Sequence, residues 1–394
     1  MKKLNTIIAA LLVSASFNSF AGDCTPMSGE YLIGKSDEAN FSTINEAFNA
    51  LECGGEEAPV SFLIESGTYN ERVTLANIEG ASAINTITFA SKSGVNTDVV
   101  LSYNTSNATL VLVDAKYISF ENMTIDHKDG TYGNSLRVDG EASNLTFKNM
   151  IFNGVIMPRT GAINAAVYFT STAAKSEIAF DGCDFNNGSI GICKAGVNGS
   201  AADTKTSITG NTFSNQNETG IALANEAAPV VTANVVHTSS PDKNYVAISL
   251  DNISSNMVVN KNVVSAINSA TGILLNDCVA QASRPGQAVS NSITVNGNHD
   301  AYGIRVTGNT NQQVIDFNTI KLMVNRADAS TQAFYMNTGS GKDVSMMNST
   351  YFDLSAGSYM VYGDSYKSYS GDKKSTSLSA SAEGINMESG SVIK

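Results

Sequence analysis

Short segments in which apolar and polar positions alternate recur along most of the chain. Leu136-Arg137-Val138, Val167-Tyr168-Phe169, Ile221-Ala222-Leu223, Ile248-Ser249-Leu250, Ile273-Leu274-Leu275, Ile304-Arg305-Val306 and Phe334-Tyr335-Met336 each begin on an apolar residue. Leu112 and Ile192 begin similar segments. The starts recur at irregular intervals of roughly 25–30 residues, within the range of repeat architectures. Several follow a glycine, as at Gly220 and Gly272. Period-two alternation behind a turn residue predicts a β-strand. A second recurring segment has the form apolar-x-x-Asn-x-apolar: Ile208 to Phe213, Val231 to Val236, Val259 to Val264 and Ile315 to Ile320. Asn211, Asn234, Asn262 and Asn318 take the same place in it, and Asn298 and Asn348 fall where the pattern predicts further members. Earlier copies carry Asn122 and Asn149. Asparagine tolerates the left-handed backbone of a tight turn. Stacked identical amides can also hydrogen-bond along the stack. Asn211, Asn234, Asn262, Asn298, Asn318 and Asn348 are therefore expected to form a structural turn ladder.

Irregular repeats of this length, all strand and turn, predict a solenoid. A leucine-rich repeat needs its own leucine signature and a helix per repeat, and a WD40 propeller needs longer, Trp-marked repeats; the chain has no Trp. The expected fold is all-β: a single-domain parallel β-helix, nine or more coils over about 108–355. Such a stack needs its end covered. Phe41, Ile44, Ala47, Phe48 and Leu51 have helical spacing, and Ser42 and Glu46 stand near an N-cap. A short cap helix is expected there.

The segment from Met1 to Ala21 reads as a signal peptide. Lys2 and Lys3 form a charged start, Ile7 to Val13 an apolar core too short to span a bilayer, and Ser19-Phe20-Ala21 a cleavage site. The expected organisation is thus signal peptide 1–21, cap 22–57, β-helix 58–355 and an edge cover or tail 356–394. A secreted or cell-surface location follows, with no membrane-spanning segment. Of five Cys, Cys24 and Cys53 bracket the cap and are candidates for a disulfide in an exported protein. No spacing suggests a metal site.

Charged residues make up only 15% of the chain, which goes against a coiled coil or a disordered chain. The formal charge of −12 disfavours nucleic acid, which is bound through clustered Lys and Arg.

The stretch from Phe41 to about Asn104 resembles the opening of right-handed parallel β-helix proteins of the pectin lyase-like class. The segment Phe41 to Phe48, followed by Pro59 to Glu71 with its Gly67-Thr68-Tyr69-Asn70-Glu71, is similar to a pectinesterase start. Tyr302 to Asn311 and Asn318 to Ile320 resemble ordinary coils of secreted bacterial members. The resemblance implies a right-handed β-helix over about 41–355. It does not carry an activity, because the motifs that hold the chemistry of pectinesterases, polygalacturonases and pectate lyases have no match here.

In this fold the groove lies over the first strand of each coil. With the apolar starts pointing inward, the outward pairs include Arg137/Asp139, Tyr168/Thr170, Cys193/Ala195, Ala222/Ala224, Ser249/Asp251, Arg305/Thr307 and Tyr335/Asn337. Arg137, Asp139 and Tyr168 could stack on and hydrogen-bond a sugar, as could Arg305 and Tyr335. The competing reading of each is a salt bridge or a strand-favouring aromatic. His127 is expected to be a solvated turn residue, and His237 and His299 turn residues, with His299-Asp300 a remote base-and-orienter pair. Asp126, Asp129, Asp181 and Asp184 could lend oxygens to Ca²⁺, although no calcium-loop motif is present. No cofactor is expected. The sequence thus points to an exported, non-catalytic face for a polysaccharide, a cell-surface glycan or another partner. The rival reading is a polysaccharide lyase using Arg137 or Lys128, with Asp139.

Overall fold

The structure, a computed structural model, describes residues 24–129, 131–156, 161–197, 204–267, 270–324, 331–338, 342–347 and 349–353, with the short strands Tyr359–Tyr362, Ser368–Ser370, Lys373–Lys374 and Val392–Ile393. The expected signal peptide, Asn348 and most of the expected tail lie outside the described residues. Among the described residues three parallel sheets of 13, 11 and 13 strands run side by side, most coils adding one strand to each sheet. This is a parallel β-helix, and among the described residues one α-helix accompanies it. No described helix is long and apolar enough to cross a membrane.

The expected strand starts form one row of the 11-stranded sheet: Leu136, Val167, Ile192, Ile221, Ile248, Ile273, Ile304 and Phe334 are paired successively. At the N-terminal end Leu136 pairs with Leu110, and Leu112 pairs with Val138. The strand Ala108–Val113 is almost uniformly apolar, so its alternation has no legible phase. The glycines before several starts lie inside the strands rather than in turns. At Gly303 a Cβ would stand 2.4 Å from both the Ala333 carbonyl oxygen and Ile320 Cγ2, so its lack of a side chain makes room for Ile320 of the third sheet.

The interior is built from stacked like residues. Phe62, Phe89, Phe120, Phe147 and Phe180 occupy successive coils of the first sheet, with ring centroids 4.6, 5.3, 5.8 and 4.7 Å apart. Phe152, Phe185 and Phe213 form a second stack on the third sheet, at 5.1 and 4.5 Å. Each pair adds about 0.5–1.5 kcal/mol beyond the burial of its area.

The ladder at the corner between the first and third sheets corrects the expectation at two points. Its members are Asn211, Asn234, Asn262, Asn291 and Asn318, all buried. Asn298 is exposed in a loop well beyond Asn291 and is not a member. Past Asn318 the next rung is Ser349, whose Oγ accepts from the Asn318 backbone N–H at 3.2 Å. Before Asn211 the rung is Cys183. Nor do the ladder amides take the left-handed turn: that backbone belongs to the preceding residue, Gly210, Ala233, Lys261, Ser290 or Phe317. Asn122 and Asn149 occupy this turn position, and Met123 and Met150 follow them.

Helix α1 (Ile44–Gly54) lays Ile44, Ala47, Phe48 and Leu51 on the first coils, with Phe48 4.6 Å from Phe89. Its N-cap is Thr43, one residue after the expected Ser42, and Thr43 Oγ1 accepts from Glu46 N. The Glu71 carboxylate accepts from the backbone N–H groups of Ile44 and Asn45 at 2.9 and 3.0 Å. The Gly67-Thr68-Tyr69-Asn70-Glu71 motif therefore docks the cap. A disulfide joins Cys24 and Cys53. Met27–Ile33, within the expected cap, pairs in parallel with Glu56–Ile64.

Candidate functional site

The outward row of the 11-stranded sheet runs, strand by strand, through Arg137, Tyr168, Cys193, Ala222, Ser249, Leu274, Arg305 and Tyr335. Alternation puts these side chains outside because their strand neighbours fill the core.

At one end the structure brings Arg137, Asp139 and Tyr168 together. Arg137 Nε donates to both carboxylate oxygens of Asp139 at 2.9 Å, and its guanidinium carbon lies 6.0 Å from the Tyr168 ring centre. The two charged side chains are 30% and 28% exposed, so this ion pair faces solvent. Burial pushes the Tyr168 hydroxyl above the usual tyrosine range.

At the other end Arg305 stands beside two rings that touch each other. Its guanidinium carbon is 5.1 Å from the centre of Tyr302 and 5.2 Å from that of Tyr335. The rings meet edge to face at 5.4 Å. Arg305 Nε is buried and has no hydrogen-bond acceptor. Tyr302 is a residue that the sequence reading missed. It precedes the apolar start by two, where strict alternation would turn it inward with Ile304; the alternation breaks at the buried Gly303, so no local pattern marks it. A cavity of about 540 Å³ opens here, with Lys243, Asn244, His299, Asp300, Tyr302 and Arg305 among its walls. Arg305 and Tyr335 are thus joined by Tyr302 and by a polar loop, not left as a bare pair.

The other candidates disperse. His127 is buried rather than solvated: its Nδ1 lies 2.9 Å from Thr109 Oγ1, and its Nε2 lies 2.9 Å from the Tyr132 carbonyl oxygen. His237 belongs to the strand Val235–Thr238 and points outward from the third sheet, not from a turn. His299 and Asp300 are exposed in a loop. Lys128 pairs with Asp126 at 3.2 Å. Asp126 and Asp184 lie on strands two coils apart. Burial pushes the Cys193 thiol up to about 11, which leaves it a poor nucleophile in the groove.

A comparison with protein-family models finds no match, and a comparison with curated proteins also finds none. Among solved structures the chain is similar to a GH136 lacto-N-biosidase from Eubacterium ramulus, at 12% identity over 91% of this chain and 67% of that one, with a TM-score of 0.48. It is similar to a mannuronic acid specific polysaccharide family 6 lyase from human gut microbiota, at 12% over 92% and 91%, with a TM-score of 0.43. A third is the Streptococcus pneumoniae surface protein and adhesin PfbA, at 10% over 82% and 94%, also with 0.43. Likeness at this level says nothing about chemistry, which has to come from the residues themselves.

Proposed function

We propose that this chain is an exported, surface or extracellular β-helix protein that binds glycans on the outward face of its 11-stranded sheet, without catalysis. The observation that carries this reading is Arg305, held against both Tyr302 and Tyr335 at the edge of a cavity. Its Nε–H is buried without an acceptor. The tyrosines offer ring faces and hydroxyls, and Asn244 and Lys243 add donors at the rim. Ring stacking beside a few convergent polar groups suits a sugar. Export rests on the leading segment from Met1 to Ala21.

The test is binding by the mature chain, from Gly22 onward, to acidic and neutral polysaccharides, with unsaturated products and reducing ends followed in the same tubes. Binding that weakens at least tenfold in Arg305→Ala, without product, is expected. Product formation overturns the non-catalytic part of the reading, and absence of binding overturns the whole.

A further inference from the structure

We infer that the chain carries a second ligand site, on the outward face of the first sheet, which takes a single neutral hexopyranoside against the ring of Tyr117. The site lies on a different sheet from Arg305, and the inference goes beyond the reading above without resting on it.

A cavity of about 470 Å³ opens on this sheet, within the size range of small-molecule sites. Its floor is a row of hydroxyls, Thr88, Ser119 and Thr146, carried by successive paired strands. Neighbours in the row are about 4.8 Å apart. These side chains point outward because the residues that follow them, Phe89, Phe120 and Phe147, form the stack beneath. A floor laid on stacked rings is rigid, so its hydroxyls are held in place before a ligand arrives. Each hydroxyl can both donate and accept. Ser119 Oγ donates to Glu121 at 3.1 Å and keeps its acceptor side.

Tyr117 forms a wall of the cavity, and its backbone singles it out. Four successive coils take the left-handed conformation at this point, with φ of 59° at Tyr117, 54° at Asn144, 55° at Glu177 and 58° at Lys205. Asparagine tolerates that conformation, whereas a bulky aromatic residue is disfavoured in it. Asparagine therefore serves this turn better, as the next coil has it at Asn144, and the ring of Tyr117 answers to something other than the turn. A half-buried ring beside a row of hydroxyls matches the two aspects of a pyranose, its apolar C–H face and its edge of hydroxyls. Among the described lining residues Glu177 is the one charge, and Lys205 pairs with it. That balance favours a neutral sugar over a uronate, in contrast to the cationic Arg305 and Lys243 of the other site.

The measurement is ligand-observed NMR titration of the mature chain and its Arg305→Ala variant. The probes are the methyl glycosides of glucose, galactose, mannose and N-acetylglucosamine, with galacturonate as the charged control. At least one neutral glycoside is expected to bind both proteins alike, and galacturonate to bind Arg305→Ala about tenfold more weakly than it does. Tyr117→Asn is expected to lower the affinity for that glycoside about tenfold. The same variant should melt at a higher temperature than the parent, because the turn gains a residue that fits it. Thr146→Val, which suits a strand, should lower the affinity about threefold and leave the melting temperature unchanged. A neutral glycoside that binds neither protein, or only the parent, overturns the second site. So does binding that survives in Tyr117→Asn, and so does a lower melting temperature of that variant, which would make the ring a packing element. Galacturonate binding to Arg305→Ala as tightly as the glycoside overturns the choice of a neutral ligand. The reading at Arg305 is decided separately, by the polysaccharide assay above.

Discussion

Asn234 Oδ1 accepts hydrogen bonds from both the backbone nitrogen and the side-chain nitrogen of Asn211, each at 3.0 Å. Asn234 in turn donates from its own side chain to the Ile208 carbonyl oxygen at 2.8 Å. One amide thus satisfies both the donors and a carbonyl oxygen at the corner of the preceding coil. Because these groups are buried, no water is available to replace them.

Truncating a ladder amide therefore strands several buried polar groups at once. Asn291→Ala is expected to destabilise the protein by about 3 kcal/mol, given roughly 1–3 kcal/mol for each orphaned group. Asn298→Ala, on an exposed loop residue, should stay within about 0.5 kcal/mol. Denaturant unfolding of the two variants beside the parent checks both; equal effects would contradict the assignment of Asn291 as the rung.

Glu71 holds the N-terminus of α1 through the Ile44 and Asn45 amides. A carboxylate there satisfies orphan donors and opposes the positive end of the helix. Glu71→Ala should weaken the cap by about 1 kcal/mol. Amide hydrogen exchange should speed up over Ile44–Gly54, while the coils beyond Ala108 keep their protection.

Glu56 is only 6% exposed, and neither carboxylate oxygen has a hydrogen-bond partner. Burial pushes its pKa up to about 7 from the ordinary 4.5. Below 4.5 both folded and unfolded chains carry the proton, and Glu56 contributes no pH dependence. Between 4.5 and about 7 the unfolded chain ionises first, so stability falls as pH rises, by at most about 1.4 kcal/mol per pH unit. Above about 7 both forms are ionised and the loss levels off. Glu56→Gln should abolish this slope and melt at a higher temperature than the parent at about pH 8. Parallel melting curves from about pH 4 to about pH 9 measure it.

Lys194 and Glu226 form an ion pair at 2.6 Å with both side chains fully buried, where neighbouring coils place Phe169 and Leu223 in the row of Lys194. Removing one partner takes this ion pair away from the other, still buried, charge. Lys194→Met is expected to cost roughly 3–5 kcal/mol, and the added change Glu226→Leu to recover much of it. A double-mutant cycle by denaturant unfolding gives the coupling.

The repeat was legible because each coil obeys the same local rule. An apolar residue starts a strand, the next points outward, and a turn follows before the pattern begins again in the next coil. That rule also placed Arg137, Tyr168, Arg305 and Tyr335 in the outward row, with Asp139 beside them. It failed where the local pattern is degenerate. In Ala108–Val113 nearly every position is apolar, so only pairing with Leu136 sets the phase. The Asn ladder slipped for a related reason. Asn122 and Asn149 satisfy the turn, whereas Asn291 satisfies the interior, and the same residue type serves both at adjacent positions.

By itself the sequence determined the solenoid, its strand periodicity and the residues available on the outward face of the 11-stranded sheet, because these follow from burying apolar side chains at a recurring period. Only the tertiary structure decided which of those residues meet. Tyr302 closes on Arg305 alongside Tyr335 from the next coil, His127 goes inward, and Glu71 turns from a motif member into a helix cap. Such contacts join positions a full coil apart, or, for Tyr302 and Arg305, depend on which way two nearby side chains lean. Their geometry is set by the stacking of coils, which no local alternation of apolar and polar residues encodes.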